Sequence, residues 1–292
     1  MTVDSMIHLP GRATVALRTS GPRHDADGTL LLVHGLASNA RLWDGVVAAS
    51  PTLRCVAVDA RGHGASPDAV DGYDTATAAA DLAAVVDALD TDPDGPLPRP
   101  LVAVGQSWGG NVVLTLAAHQ PGVVDAVCLV DGGWIRLTGF STFDECWAAL
   151  APPDMRGVSL EAVAGWIRTA HPTWPETGIA GTLANLVAGP DGMARNRLAR
   201  EHHRSILRSL YEGDPRELYP LVKVPVLLMP AGGGPVGASA LVAEAVDGLA
   251  DARLRAYPQA DHDIHAQFPV EVAADLVALV QRVSGHSPVG AP

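Results

Sequence analysis

Lysine is almost missing from this chain. Of its 20 basic residues only Lys223 is a lysine, and the other 19 are arginines, a codon-usage signature rather than a functional one. Against them stand 32 acids, for a formal charge of −12. That balance excludes the surplus of cations that nucleic acid or an anionic membrane surface rewards. Cysteine is also scarce. Cys55, Cys128 and Cys146 are too few and too scattered for a disulfide framework or a metal knot. Cys128, inside an apolar run, reads as a small buried hydrophobe. No apolar stretch reaches membrane-spanning length. The opening residues lack a basic segment followed by an apolar one, so no signal peptide is expected. A cytoplasmic enzyme fits these absences. What the chain does have is 292 residues, 48% of them hydrophobic, which is ample for a large packed core.

Short apolar runs alternate with helical patterns. Residues 14–18, 30–33, 55–58, 101–104, 124–130, 224–229 and 253–257 are expected strands. Several are nearly continuous Val, Leu and Ala, as in parallel strands covered on both faces. Residues 75–89 carry Ala79, Leu82, Val85, Val86 and Leu89 at helical spacing, and residues 270–283 show a similar face. The alternation predicts an α/β fold with a doubly wound, mostly parallel sheet. It breaks between residues 134 and 221, where no strand is evident and helices are expected at 143–150, 159–171, 179–187 and 196–211. That stretch holds Trp134, Trp147, Trp166 and Trp174, four of the six tryptophans. It reads as an inserted helical cap, residues 134–222, on a core formed by 1–133 and 223–292. The tail from Ser284 onward is expected to be loose.

Residues 105–109 read Gly-Gln-Ser-Trp-Gly at the end of the apolar run from Leu101 to Val104. A strand that stops at G-x-S-x-G and restarts as a helix has the form of a nucleophile elbow, with Ser107 on a cramped turn. Gly105 and Gly109 lack a Cβ, so strand and helix can pass close together. Acyl transfer by serine also needs a base, a carboxylate to hold it, and donors for the oxyanion. His262, just after the last strand, is the candidate base. Asp131, at the carboxyl end of the strand after the elbow helix, is the candidate acid, although an aspartate there can also simply cap a Gly turn. The backbone N–H groups of Leu36 and Trp108 are the candidate oxyanion donors. All of these lie at carboxyl ends of strands, where α/β sheets place their sites.

Other polar clusters carry blander readings. His262 and His265 with Asp261 and Asp263 do not have the spacing of a zinc motif, so no metal and no cofactor is expected. His34 and His63 read as hydrogen bonders that organise loops rather than as bases. Arg200, Arg204 and Arg208 lie four apart along one helical face. They suit a clamp for an anionic substrate, but the simpler reading is a solvated face. Phe140, Phe143, Tyr211 and the tryptophans divide between a small core of the cap and an apolar pocket. Trp108 is the side chain expected nearest to bound substrate.

Taken together, these motifs resemble the α/β-hydrolase fold family over essentially the whole chain. His34-Gly35 resembles its oxyanion-loop HG. Asp59-Ala60-Arg61-Gly62-His63-Gly64-Ala65-Ser66 resembles its D-x-R-G-H-G-x-S loop, and His262, seven residues before Pro269, resembles its catalytic-histidine motif. One departure concerns the acid. Many members place it after the strand counted as seventh, but here residues 224–229 run into Pro230-Ala231-Gly232-Gly233-Gly234-Pro235-Val236-Gly237, with no carboxylate until Glu244. A second subgroup places it after the sixth strand, where Asp131 stands. The resemblance implies a serine hydrolase acting on a small carboxylic ester or lactone. Thioesters and carbon–carbon bonds are alternatives, as is a small-molecule receptor built on the same fold. Serine at position 107 argues against haloalkane dehalogenase or epoxide hydrolase chemistry, where an aspartate nucleophile is expected.

Overall fold

Eight strands form one sheet in the computed structural model, which describes residues 2–232 and 238–285. In chain order they are β1 (Val3–His8), β2 (Thr14–Ser20), β3 (Thr29–Val33), β4 (Arg54–Asp59), β5 (Leu101–Gln106), β6 (Ala126–Val130), β9 (Val226–Met229) and β10 (Ala252–Leu254). The spatial order is β1-β2-β4-β3-β5-β6-β9-β10. The pairs β1·β2 and β2·β4 are antiparallel, and from β4 to β10 every pair is parallel. A two-stranded hairpin, β7 (Leu186–Ala188) with β8 (Ala194–Asn196), stands apart from the sheet.

The continuous apolar runs have the predicted consequence. In β3, β5 and β6 every residue is buried, because helices cover both faces. Alternate residues of β3 serve opposite layers. Leu31 and Val33 pack with α2 (Thr75–Asp90) and α3 (Trp108–His119), while Leu30 and Leu32 pack with α1 (Asp44–Ala48) and α10 (Pro269–Val283). The expected face of α2 is the buried one, with Ala79, Leu82, Val85 and Val86 inward. Asp74 caps this helix by accepting from Thr77 N. The short α8 (Ala238–Gly248) and α9 (Ile264–Gln267) complete the helices of the core. All three cysteines are buried free thiols. Burial pushes Cys55 up to about 12 and raises Cys128 and Cys146 as well.

Between β6 and β9 lie α4 (Phe143–Leu150), α5 (Leu160–Ala170), α6 (Glu176–Leu183), the hairpin, and α7 (Arg200–Glu212). Thr142 and Glu145 form a reciprocal capping box that starts α4. The expectation of a segment without strands is corrected here. Residues 186–188 and 194–196 pair as the hairpin, and the expected helix over 179–187 ends at Leu183. Three-residue strands are too short to show a period of two. Polar bonds seat the segment on the core. Asn39 Nδ2 donates to Gly181 O (2.8 Å), Arg197 Nε donates to Gly64 O (2.9 Å), and Thr75 N donates to Ser209 Oγ (3.0 Å). Among the described residues no helix is long and apolar enough to cross a membrane. Residues 233–237 of the Gly-rich run and 286–292 of the tail fall outside the described residues.

Candidate active site

β5 ends at Gln106 and α3 begins at Trp108, so Ser107 is the whole of the turn between them. Its backbone sits at φ 53°, ψ −124°, a region that L-residues seldom enter. The elbow closes only because Gly105 and Gly109 lack side chains. A methyl on Gly109 would stand 2.5 Å from the carbonyl oxygens of Val33 and His34, and one on Gly105 would overlap the Gly109 carbonyl. Ser107 N donates to Val130 O (3.0 Å), which anchors the elbow to the end of the neighbouring strand. Its hydroxyl makes no capping bond to α3.

Asp131 follows β6 directly and is also left-handed, at φ 42°. With Ala37 at φ 57°, Ser107 and Asp131 make up the non-glycine residues at positive φ among the described residues. Each costs on the order of 1–3 kcal/mol and persists only where its surroundings enforce it. All three stand in the loops holding the expected oxyanion donor, nucleophile and acid. Asp131 Oδ1 accepts from Ala231 N (3.0 Å), and Oδ2 accepts from His262 Nδ1 at 2.6 Å. That bond fixes a proton on Nδ1 and leaves Nε2 as the free nitrogen. The acid side chain is 9% exposed and the imidazole 53%, so the pair is anchored at one end and open at the other.

Burial works against a charged His262. The Asp131 hydrogen bond, then the charges of Asp263, Asp131 and Asp261, outweigh it and hold the imidazole above its ordinary value. Gln106, buried inside the elbow, donates from Nε2 to His262 O (3.2 Å) and so ties the histidine loop to the strand that presents Ser107. Within Asp131, His262 and Ser107, the hydrogen-bonded pair among the described residues is Asp131–His262. Backbone contacts hold Ser107 beside it. The glycine after Asp131, Gly132, packs against the Ser107 main chain, and a methyl there would overlap the Ser107 carbonyl.

The expected oxyanion loop lies against Ser107. A methyl on Gly35 would come 3.1 Å from Ser107 Cβ, which brings the next residue, Leu36, to the same corner. Trp108 N is the first N–H of α3, one of the helix's unpaired donors. The Trp108 side chain departs from expectation. It is 2% exposed, packs in the α2–α3 layer, and donates Nε1–H to Thr75 Oγ1 (3.1 Å), so the side chain turns into the core.

His34 and His63 organise loops. His34 donates Nδ1–H to Gly35 O (2.7 Å) and accepts from Ala60 N on Nε2 (3.0 Å). His63 donates to Arg61 O (3.0 Å) and accepts from Ala37 N (3.2 Å). Burial lowers both pKa values, so both rings are neutral. The Arg200, Arg204 and Arg208 guanidinium groups lie over the Trp147 and Phe143 rings of α4 at 3.9–5.6 Å. Arg204 also pairs with Asp144 and Arg208 with Glu212, so this face joins α7 to α4. Among the described residues no three His, Cys, Asp or Glu side chains are gathered as metal ligands. The Asp261 carboxylate accepts from His171 and Trp174 instead. Sequence reasoning missed Gln106, Ala231 and Asp261. Each acts through a bond to residues 87 or more positions away, and local spacing carries no sign of such a bond.

Comparison with known proteins agrees with this architecture. Lipase LipV of Mycobacterium tuberculosis is 35% identical over 125 residues, covering 43% of this chain and 44% of that protein. A pimeloyl-(acyl-carrier protein) methyl ester esterase of Neisseria meningitidis is 36% identical over 134 residues, 46% of this chain and 47% of that protein. The chain thus matches less than half the length of these curated relatives. Among solved structures, E-2-(acetamidomethylene)succinate hydrolase superposes with a TM-score of 0.77 at 22% identity, over 96% of this chain and 100% of that one. An esterase of M. tuberculosis superposes with a TM-score of 0.73 at 21% identity, over 96% and 92%. Both share the fold. A model of the alpha/beta hydrolase family matches residues 30–275. With that span and this sheet, the chain belongs to the alpha/beta hydrolase family.

Proposed function

We propose that this protein is a serine hydrolase that cleaves a carboxylic ester or lactone through an acyl-serine intermediate. The observation that carries the reading is the 2.6 Å Asp131–His262 bond beside a serine held at φ 53°. Ser107 Oγ attacks the ester carbonyl while His262 Nε2 takes its proton, and Asp131 steadies the imidazolium. The Leu36 and Trp108 N–H groups receive the developing oxyanion, helped by the positive end of α3. His262 then returns the proton to the departing alcohol. In the second half it takes a proton from the water that attacks the acyl-serine, then gives that proton to Ser107 Oγ as the acyl–oxygen bond breaks and the acid is released. Residues 134–222 act as a cap over a core made of 1–133 and 223–292. The relatives named as a lipase and a methyl ester esterase favour esters over thioesters or carbon–carbon bonds.

The test is a fluorophosphonate probe combined with p-nitrophenyl esters of graded chain length and a set of lactones. Wild type should label rapidly and turn over at least one of them. Ser107→Ala should not label, and should lose at least about 10⁴-fold in kcat. A folded wild type that neither labels nor turns over would instead favour a small-molecule receptor.

A further inference from the structure

Asp261 immediately precedes the proposed base, yet its carboxylate is committed elsewhere. Oδ2 accepts two hydrogen bonds, from His171 Nδ1–H and from Trp174 Nε1–H, each 3.1 Å long. Both donors lie in the connection between α5 and α6, and their rings pack with centroids 4.0 Å apart. Trp174 is buried with Leu42, Ile179 and Ala266, the last on the helix that follows His262. Oδ1 accepts from Asp263 N (3.1 Å), and Asp261 N donates to Gln267 Oε1 (2.9 Å). The bond to Asp263 is an ordinary local turn. A local turn does not account for Oδ2, whose donors come from 87 and 90 residues away.

We propose that Asp261 is a positioning residue that latches the α5–α6 connection onto the His262 loop, so that the base is in register only when the inserted segment is seated. This rests on the serine-hydrolase reading. A single carboxylate oxygen is the junction. The inserted segment holds it through His171 and Trp174, and it belongs to the chain leading into His262. Small displacements of a proton-transfer group are expensive, because catalysis depends on sub-ångström placement.

The groups that face His262 are Asp131 from the end of β6, Asp261 and Asp263 on its own loop, and His265 from α9; His171 faces Asp261 from the inserted segment. Burial opposes protonation of His262, while the Asp131 bond and the three carboxylates favour it. Replacing Asp261 by asparagine removes one of those charges while keeping an acceptor. That separates the electrostatic part of its role from the mechanical part.

The experiment compares wild type, Asp261→Asn, Asp261→Ala, Trp174→Phe and the double variant Trp174→Phe/Asp261→Ala. Ester turnover is measured against pH, and amide exchange is followed by mass spectrometry without substrate. Trp174→Phe keeps one aromatic ring and removes the Nε1–H donor together with the five-membered half of the indole. Asp261→Ala should speed exchange in residues 171–176 and 260–266 together and lower kcat roughly tenfold with little change in KM. Asp261→Asn should move the acid limb of kcat/KM to lower pH. The double variant should be no slower than Asp261→Ala alone, since both changes break one link. Independent, multiplying effects on kcat, or exchange confined to one of the two segments, would each overturn the latch, whereas an unmoved acid limb in Asp261→Asn would mean that the role is mechanical alone. Exchange judges the latch without turnover. A wild type with coupled exchange but no Ser107-dependent turnover would refute the serine reading and leave the mechanical link standing.

Discussion

At the scale of single residues, the site is a set of strained positions held by bonds that reach across the chain. Asp131 has two tasks, fixing its own turn through Ala231 N and orienting His262 through Nδ1. Asp131→Asn keeps the shape but presents the wrong partner to the ring, and should lower kcat by ~10³–10⁴ with the fold intact. Steady-state kinetics alongside circular dichroism would check this. The pH profile carries a second signature. His262 must be neutral to accept a proton, and its pKa is raised above the ordinary ~6.5. In wild type, kcat/KM should therefore fall as pH drops through a value above that figure, and in Asp131→Asn the residual activity should fall at lower pH. The candidates Ser107 and Asp131 were legible because each follows a strand directly, and His262 because its short motif lies beyond the last strand; the bond that joins Asp131 to His262 was not. Gln106 and Asp261 were not, since their meaning depends on which distant groups they meet, the His262 carbonyl for one and the His171 and Trp174 rings for the other. Trp108 misled for a related reason: adjacency to Ser107 fixes its backbone, whereas its side chain follows the helix into the core.

At the scale of elements, the sheet interior and the β10 edge were readable and the β1 edge was not. The fully buried strands announced themselves as unbroken apolar runs, and α2 and α10 through their periodicity. β1 carries polar and apolar residues on an exposed edge and gave no such signal. Asn39 shows how the inserted segment is fastened. Its Oδ1 accepts from Arg41 N (2.8 Å) to start a 3₁₀ turn, Ala40–Trp43, while Nδ2 donates to Gly181 O and Asn185 Oδ1. Asn39→Ala loses a cap and takes the donor from the buried Gly181 carbonyl and the half-buried Asn185 side chain, so it should cost about 1–3 kcal/mol. A lower urea midpoint at constant m would register that loss. An unchanged midpoint would mean that Gly181 and Asn185 find other donors.

At the scale of the whole molecule, alternation of strands and helices dictated a sheet covered on both faces, and the loops at one end of that sheet gather the site. The residue types of the segment between β6 and β9 were legible as helical, but its seating was not. It depends on single side chains such as Arg197 and Trp174 reaching the core. The buried thiols on both sides of the architecture give a global readout. Cys55 and Cys128 lie under the α1–α10 layer, and Cys146 lies beneath α7. Buried thiols with raised pKa values are inert. A disulfide dye such as Ellman's reagent should therefore count none of them in the native protein and all three after denaturation. At intermediate denaturant the colour should develop in two stages if the inserted segment opens first, with Cys146 ahead of the sheet pair. The chain thus carries its own chronometer for the sequence in which its parts come undone, with no label added.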